Sequence, residues 1–327
     1  MSVFFPTSLL VMKIGRKQMD RRNNTAVTYF ILVGLSEYPR AQMLLFCLLL
    51  ASYLVILLGN SLILVLVQFD SRLHTPMYFF LSNLSFLDIC FTSSSIPQMI
   101  INCLVRMPVI SAGQCMAQMC TLLYLGVVEC LLLAVMAYDR CIAISDPLRY
   151  PVRMSNQFCV QLAGLSWVSA FLFSIVPTVA TPLELCSHVI NHFFCEVLAI
   201  MKLACSDLQL NELLMMATSS LTLLAPFVFI LASYGRILGA VLKMRSTEGR
   251  KKAFSTCSSH LTVVVLFYGT AIAMYMMPQD KTSREQDKLA SLLYGVVTPM
   301  LNPLIYSLRN KDVKEALRKL LGEKKVP

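Results

Sequence analysis

Seven stretches of this chain stay apolar for about twenty residues or more, and no other feature narrows its fold so much. They run near Leu44–Gln68, Pro76–Ile101, Gly113–Asp139, Phe158–Val179, Leu213–Leu242, Ala253–Met277 and Leu289–Leu308. A helix needs about 20 mostly apolar residues to cross ~30 Å of hydrocarbon. The ten-residue alternation that marks a membrane barrel is absent from the sequence. The pattern predicts an all-α membrane protein, a seven-transmembrane helix bundle. Composition supports this: 57% of residues are hydrophobic and 14% charged, where soluble domains carry about 25% charged residues. Such a balance excludes a disordered chain. Twelve cysteines in 327 residues are also too sparse for a disulfide-stapled secreted module.

An odd number of crossings places the termini on opposite faces, so the basic loops set the orientation. With the N-terminus outside, sixteen of the 28 Lys and Arg residues fall inside, among them Arg140, Arg149, Arg153, Arg250, Lys251 and Lys252. The side richer in Lys and Arg is expected to be cytoplasmic. The expected organisation is an outer tail (1–43), a receptor-sized bundle (44–308) and a cytoplasmic tail (309–327), at the plasma membrane. The formal charge of +10 suits anionic membrane lipids and an intracellular partner rather than nucleic acid. In the outer tail, Val3–Met12 is too short to span, and its basic residues follow it, the wrong order for a signal peptide. Residues 1–18 read as an upstream extension, with Met19 an alternative start. Asn23-Asn24-Thr25 makes Asn23 a glycan acceptor. Asn83-Leu84-Ser85 also matches, but it lies in a span and is expected to stay unmodified.

Polar groups at membrane depth are expensive and mark function. Asp88 and Glu129 sit in mid-span, and a buried carboxylate must protonate or find a cation or hydrogen-bond partners. If their helices adjoin, the pair shares a proton or holds a sodium ion, with Asn60 and Asn302 as neutral ligands. No other cofactor is expected. Asp139 and Arg140 end the third span as an adjacent acid and base able to pair and swap partners. Pro303 removes a backbone donor in the seventh span, and Asn302 and Tyr306, four residues apart, project beside that weak point. Cys115, Cys186, Cys195 and Cys205 all fall on the outer, oxidising side, and four cysteines allow three pairings that spacing does not separate. His188, His192, Cys195 and Glu196 invite a metal reading, but solvent-exposed loop histidines are the expectation.

Several local motifs recur one or two to a helix: Asn60 after Gly59, Asp88, Asp139-Arg140, Trp167, Pro226 with Tyr234, and Asn302-Pro303 with Tyr306. To these add Leu73-His74-Thr75-Pro76-Met77-Tyr78-Phe79-Phe80-Leu81, Met136 to Cys141, Ser233-Tyr234, Lys252 to His260 and Pro299 to Tyr306. Together they resemble the rhodopsin-like G-protein-coupled receptors, and more closely the mammalian olfactory (odorant) receptors of the tetrapod type, near family 13. The resemblance runs from about Thr25 to Leu320. It implies disulfides Cys115–Cys195 and Cys186–Cys205, and a switch formed by Asp139, Arg140, Tyr234, Asn302, Pro303 and Tyr306. It implies a ligand wall of Leu122, Leu123, Gly126 and Val127 on the third helix, Thr218, Ser219 and Thr222 on the fifth, and Tyr268, Ala271 and Tyr275 on the sixth. That wall is apolar with scattered hydroxyls and no charge, which favours small neutral, largely hydrophobic ligands. The implied partners are an odorant outside and the stimulatory olfactory heterotrimeric G protein inside, with cAMP downstream. Beyond Arg309, Val313, Leu317, Leu320 and Leu321 recur at helical spacing among lysines and predict an amphipathic helix on the inner leaflet.

Other classes are weaker. An ion-coupled transporter would show repeated halves with matching broken helices, and an enzyme would need a nucleophile–base pair or a metal cluster at membrane depth. Neither is visible in the sequence. The same receptor machinery used as a chemosensor outside the nose has the same sequence signature.

Overall fold

In a computed structural model, residues 27–33, 39–180, 183–244, 246–276, 284–307 and 311–320 are described. Seven helices are long and apolar enough to cross a membrane: Arg40–Phe69, Pro76–Leu104, Ala112–Ser145, Asn156–Ala180, Gln209–Lys243, Thr247–Tyr275 and Asp287–Tyr306. All seven expected spans are present, and the differences lie at their ends. The sixth begins six residues before the expected Ala253, because Ser246 caps it by accepting the Gly249 amide, 3.2 Å away. Helix then continues through the charged run Glu248–Lys252, beyond the apolar stretch that sequence alone detects. The expected ends at Met277 and Leu308 lie outside the described residues, as does Asn23.

Side chains sort by environment in the way lipid demands. Leu44, Leu48, Leu58 and Phe69 on the first helix, and Leu165, Val168 and Leu172 on the fourth, are exposed. The fully buried positions hold the second and third helices together through Leu84, Leu87, Val128, Leu132 and Leu133. The first and seventh helices are in close contact at Gly59, where an added Cβ would lie 2.8 Å from Pro303 Cγ. Any larger side chain there must push the proline ring.

Two helices contain one wide, π-type turn each: Ser220–Leu224 in the fifth and Leu293–Val297 in the seventh. Each precedes a proline, Pro226 and Pro299. A proline has no amide to donate to the carbonyl four residues back, so the ladder there is already broken and a wider turn is cheap. In the seventh helix the Thr298 hydroxyl donates to the Leu293 carbonyl, 3.2 Å away.

One end of the bundle is covered by a small sheet, with β1 (Tyr29–Leu32) between β2 (Val109–Ser111) and β3 (Val189–Ile190). β1 runs antiparallel to β2 and parallel to β3, pairing Phe30 with Ile110 and Ile31 with Val189. Phe30, Leu32, Ile110 and Ile190 pack on Cys115 and Cys195. Those cysteines form one disulfide and Cys186–Cys205 the other, with Cα separations of 5.4 and 5.7 Å. This is the pairing that the family resemblance implies. At the opposite end, the helix Lys311–Leu320 lays Val313, Ala316 and Leu317 against the bundle. Leu320 is exposed, and Leu321 lies outside the described residues. The apolar stripe thus faces protein over most of its length rather than lipid.

Candidate functional site: a capped cavity and a buried polar core

Beneath the disulfide-bonded end lies a cavity of about 460 Å³ between the third, fifth and sixth helices. Leu122, Leu123, Gly126, Val127, Thr218, Ser219, Thr222, Ala271 and Tyr275 all line it, as the resemblance implies. Tyr268 does not. It is fully buried one turn deeper, its hydroxyl donates to the Cys130 carbonyl at 2.7 Å, and its ring stacks near Phe227 with centroids 5.3 Å apart. A tyrosine whose hydroxyl is satisfied across two helices is held away from the cavity surface.

Four hydroxyls of the wall are already committed. Thr218 donates to Leu214 O and Thr222 to Thr218 O, both at 2.8 Å. Ser174 and Thr178 on the fourth helix also line the cavity and donate to the carbonyls of Ala170 and Ser174. Toward the interior these groups offer lone pairs rather than protons.

The expectation of an uncharged lining is wrong at one residue. Glu196, in the loop between the fourth and fifth helices, lines the cavity. Its neighbour Cys195 is bonded to Cys115 at the start of the third helix, and this pulls the carboxylate onto the bundle. Oε2 accepts the amides of Leu198 and Ala199 at 2.8 and 3.1 Å, capping the short helix Val197–Met201. Oε1 accepts the Tyr275 hydroxyl at 3.0 Å. Burial pushes the Glu196 carboxyl up to about 7, against the pull of those hydrogen bonds. A residue following a disulfide cysteine tied to a helix top must lie near that helix, and this was the sequence signal for it.

His192 is likewise not solvent-exposed. It is buried, with Nδ1 3.1 Å from Phe194 O and Nε2 3.1 Å from Ser291 Oγ on the seventh helix. Burial holds its imidazole down at about 4. His188 stacks on Tyr29 with ring centroids 5.2 Å apart. Cys195 is oxidised, and among the described residues no cluster of three or more His, Cys, Asp or Glu is arranged to hold a metal ion.

In mid-bundle, Asn302 Nδ2 donates to Asp88 Oδ2 at 2.9 Å. Asn60 Nδ2 donates to the carbonyls of Ile56 and Pro299 at 3.1 and 3.3 Å. Glu129 is within electrostatic range of Asp88. Asn60 Oδ1, Ser85 Oγ, Asp88 Oδ1, Glu129 Oε1 and Asn302 Oδ1 are buried without a protein partner. Two carboxyls and several orphaned oxygens form a donor set suited to a hard cation or a shared proton. Asn83 in the same helix accepts the Trp167 indole at 3.3 Å and donates to Phe79 O. It is part of the bundle, not a glycan site.

Towards the other end, Arg140 is buried, with its guanidinium carbon 5.9 Å from the centre of the Tyr306 ring. Asp139 does not pair with it; it accepts the Tyr150 hydroxyl at 2.8 Å. Successive residues on a helix point about 100° apart, so adjacency in sequence opposes the pairing that was expected. Tyr234 meets His260 across the fifth and sixth helices, OH to Nδ1 at 2.7 Å with stacked rings. Sequence reasoning left His260 out of the switch. Its position within the run from Lys252 to His260 was the available signal.

The profile of the olfactory receptor family matches residues 46–324. The chain is 52% identical over 304 residues to human olfactory receptor 13H1, covering 93% of this chain and 99% of that protein. It is 53% identical over 308 residues to human olfactory receptor 13D1, covering 94% of this chain and 89% of that protein. It is 51% identical over 307 residues to the olfactory receptor-like protein OLF3 of Canis lupus familiaris, covering 93% and 97%. With its seven apolar helices and two disulfides, this chain belongs to the olfactory receptor family of G-protein-coupled receptors.

Proposed function

We propose that the chain is an odorant receptor whose ligands are small and hydrophobic over most of their surface, held in the 460 Å³ cavity. Occupancy there favours one arrangement of the third, fifth and sixth helices over another. The shift is passed down to Arg140, Tyr234 and Tyr306, where the stimulatory olfactory G protein docks and cAMP rises. The N-terminus faces outward and the C-terminus the cytoplasm. Asp88, Glu129, Asn60, Ser85 and Asn302 would hold a sodium ion or a shared proton between the two ends. Such a group supplies the positive charge that the two carboxyls need, and its loss or gain biases the Asp88–Asn302 contact.

The observation that carries this reading is the order of three features along one bundle. An apolar cavity lies at the disulfide-bonded end, the Asp88–Asn302 pair is buried in mid-bundle, and a buried arginine stands beside Tyr306 towards the far end. The test is a cAMP reporter screen of the chain against a broad odorant panel, with surface expression measured alongside. Arg140→Ala is expected to abolish the response while the receptor remains at the surface. A full response from that variant would remove the G-protein assignment.

A further inference from the structure

The polar inventory of the cavity leans towards acceptors. Thr218, Thr222, Ser174 and Thr178 spend their protons on carbonyls of their own helices, and Tyr275 spends its proton on Glu196. Ser219, Asn211 and Tyr294, which also carry donor hydrogens, complete the polar lining. Glu196 is an acceptor in its ionised form, and Oε1 takes only one hydrogen bond from the protein, leaving capacity for another. None of the ion pairs seen among the described residues involves Glu196. The Lys202 ammonium pairs instead with Asp287 at 3.5 Å. Lys202 therefore reaches Glu196 only at longer range; a buried carboxylate facing an apolar chamber with no cation in contact is costly, and a ligand bringing a charge to it would offset that cost.

We infer that the cavity is built for small apolar ammonium ligands, primary alkyl- or cycloalkylamines whose charged head meets Glu196 beneath the disulfide-tethered loop while the hydrocarbon fills the space toward Gly126 and Val127. The inference rests on the receptor reading above and names the ligand class of that same cavity. The head donates protons, which is what a cavity rich in acceptors lacks. An alcohol offers a single neutral donor and ranks below the amine. A carboxylic acid of equal length brings a second anion to Glu196 and ranks last. The Glu196–Tyr275 contact joins loop to sixth helix, so an ammonium competing for Oε1 acts on a helix that signalling must move.

The probes are hexylamine, hexan-1-ol and hexanoic acid, each given to the full chain at neutral pH. Two readouts are used: cAMP in cells, and ligand-induced rise of Tm on detergent-purified receptor. A charge-assisted hydrogen bond is about twice as strong as a neutral one. The expected result is an apparent affinity about tenfold higher for the amine than for the alcohol, with the acid weaker than both. Glu196→Gln can keep an acceptor for Tyr275 while it removes the charge and gives up the cap on Leu198 and Ala199, and is expected to bring the amine-to-alcohol ratio to within about twofold. The ranking is read on the unmodified chain, so it survives a variant that fails to fold. Equal potency of the three probes overturns the ligand class while leaving the receptor reading intact. A Tm rise with hexylamine and no cAMP from any probe supports the ligand class and overturns the signalling.

Discussion

Replacing Gly59 by alanine tests a tight contact between the first and seventh helices. The added methyl would sit 2.8 Å from Pro303 Cγ and 3.1 Å from Pro303 Cβ, roughly 1 Å inside ordinary carbon contact. The ring belongs to the backbone of the seventh helix and does not rotate away. Either the first and seventh helices separate or Pro303 shifts, and Asn302 beside it moves off Asp88. Overpacking of this kind costs about 1–3 kcal/mol, whereas alanine for glycine in a helix gains about 1 kcal/mol. Gly164→Ala on the fourth helix isolates that gain, since nothing lies within 4 Å of its added Cβ. The difference between the two variants is therefore the packing cost alone, about 1–3 kcal/mol. Thermal unfolding of the purified receptors in one detergent reads it as a lower Tm for G59A than for G164A. A G59A protein as stable as G164A would refute the claim that the two helices are locked at this point.

Four further outcomes are expected. Cys115→Ser frees the loop that carries Glu196 and should lose surface expression and ligand response; loss of a disulfide closing a long loop typically costs about 2–5 kcal/mol. Tyr268→Phe leaves the cavity wall intact but removes the hydroxyl's bond to the Cys130 carbonyl, so stability should fall by about 0.5–1.5 kcal/mol with no change in odorant ranking. His192 lies near Lys202 and Lys288 and stays neutral down to about 4, so its contribution is full above about 6.5 and is lost as pH falls towards 4. Glu196, which faces Tyr275 and lies near Lys202, is held at about 7, so the folded state gains stability as pH falls from 7 towards its unfolded value. The two slopes oppose each other, and single variants should unmask them: His192→Gln more stable at pH 5 than at pH 7, Glu196→Gln the reverse, by Tm. Two flat profiles would show that neither group is buried as described.

Much of this was legible beforehand, and for a physical reason. Lipid penalises charge and unpaired backbone so heavily that seven apolar runs and their few ionisable interruptions determine the bundle and its polar core. Asp88 was singled out as costly and Asn302 as a neutral ligand at the same site, and they meet at 2.9 Å. What escaped was set by contacts between distant segments. Glu196 reaches the cavity only because a disulfide ties its neighbour to the third helix. Tyr268 leaves the cavity because Cys130 offers its carbonyl. His192 is buried by Ser291, a residue ninety-nine positions away. Helix ends escaped too, since the charged start of the sixth helix is capped by Ser246 and carries no apolar signature. The motifs of the family could place residues on faces. They could not say which hydroxyls had already given away their protons.

The wide turn at Ser220–Leu224 amounts to an ordinary helix with one extra residue wound into it. Removing a single residue there would let the turn relax to regular α-helix while Tyr234 and Ile237 kept their azimuth and depth. The fifth helix thus holds a spare amino acid in its length, and chains shorter by one at this point can stay in phase at both ends.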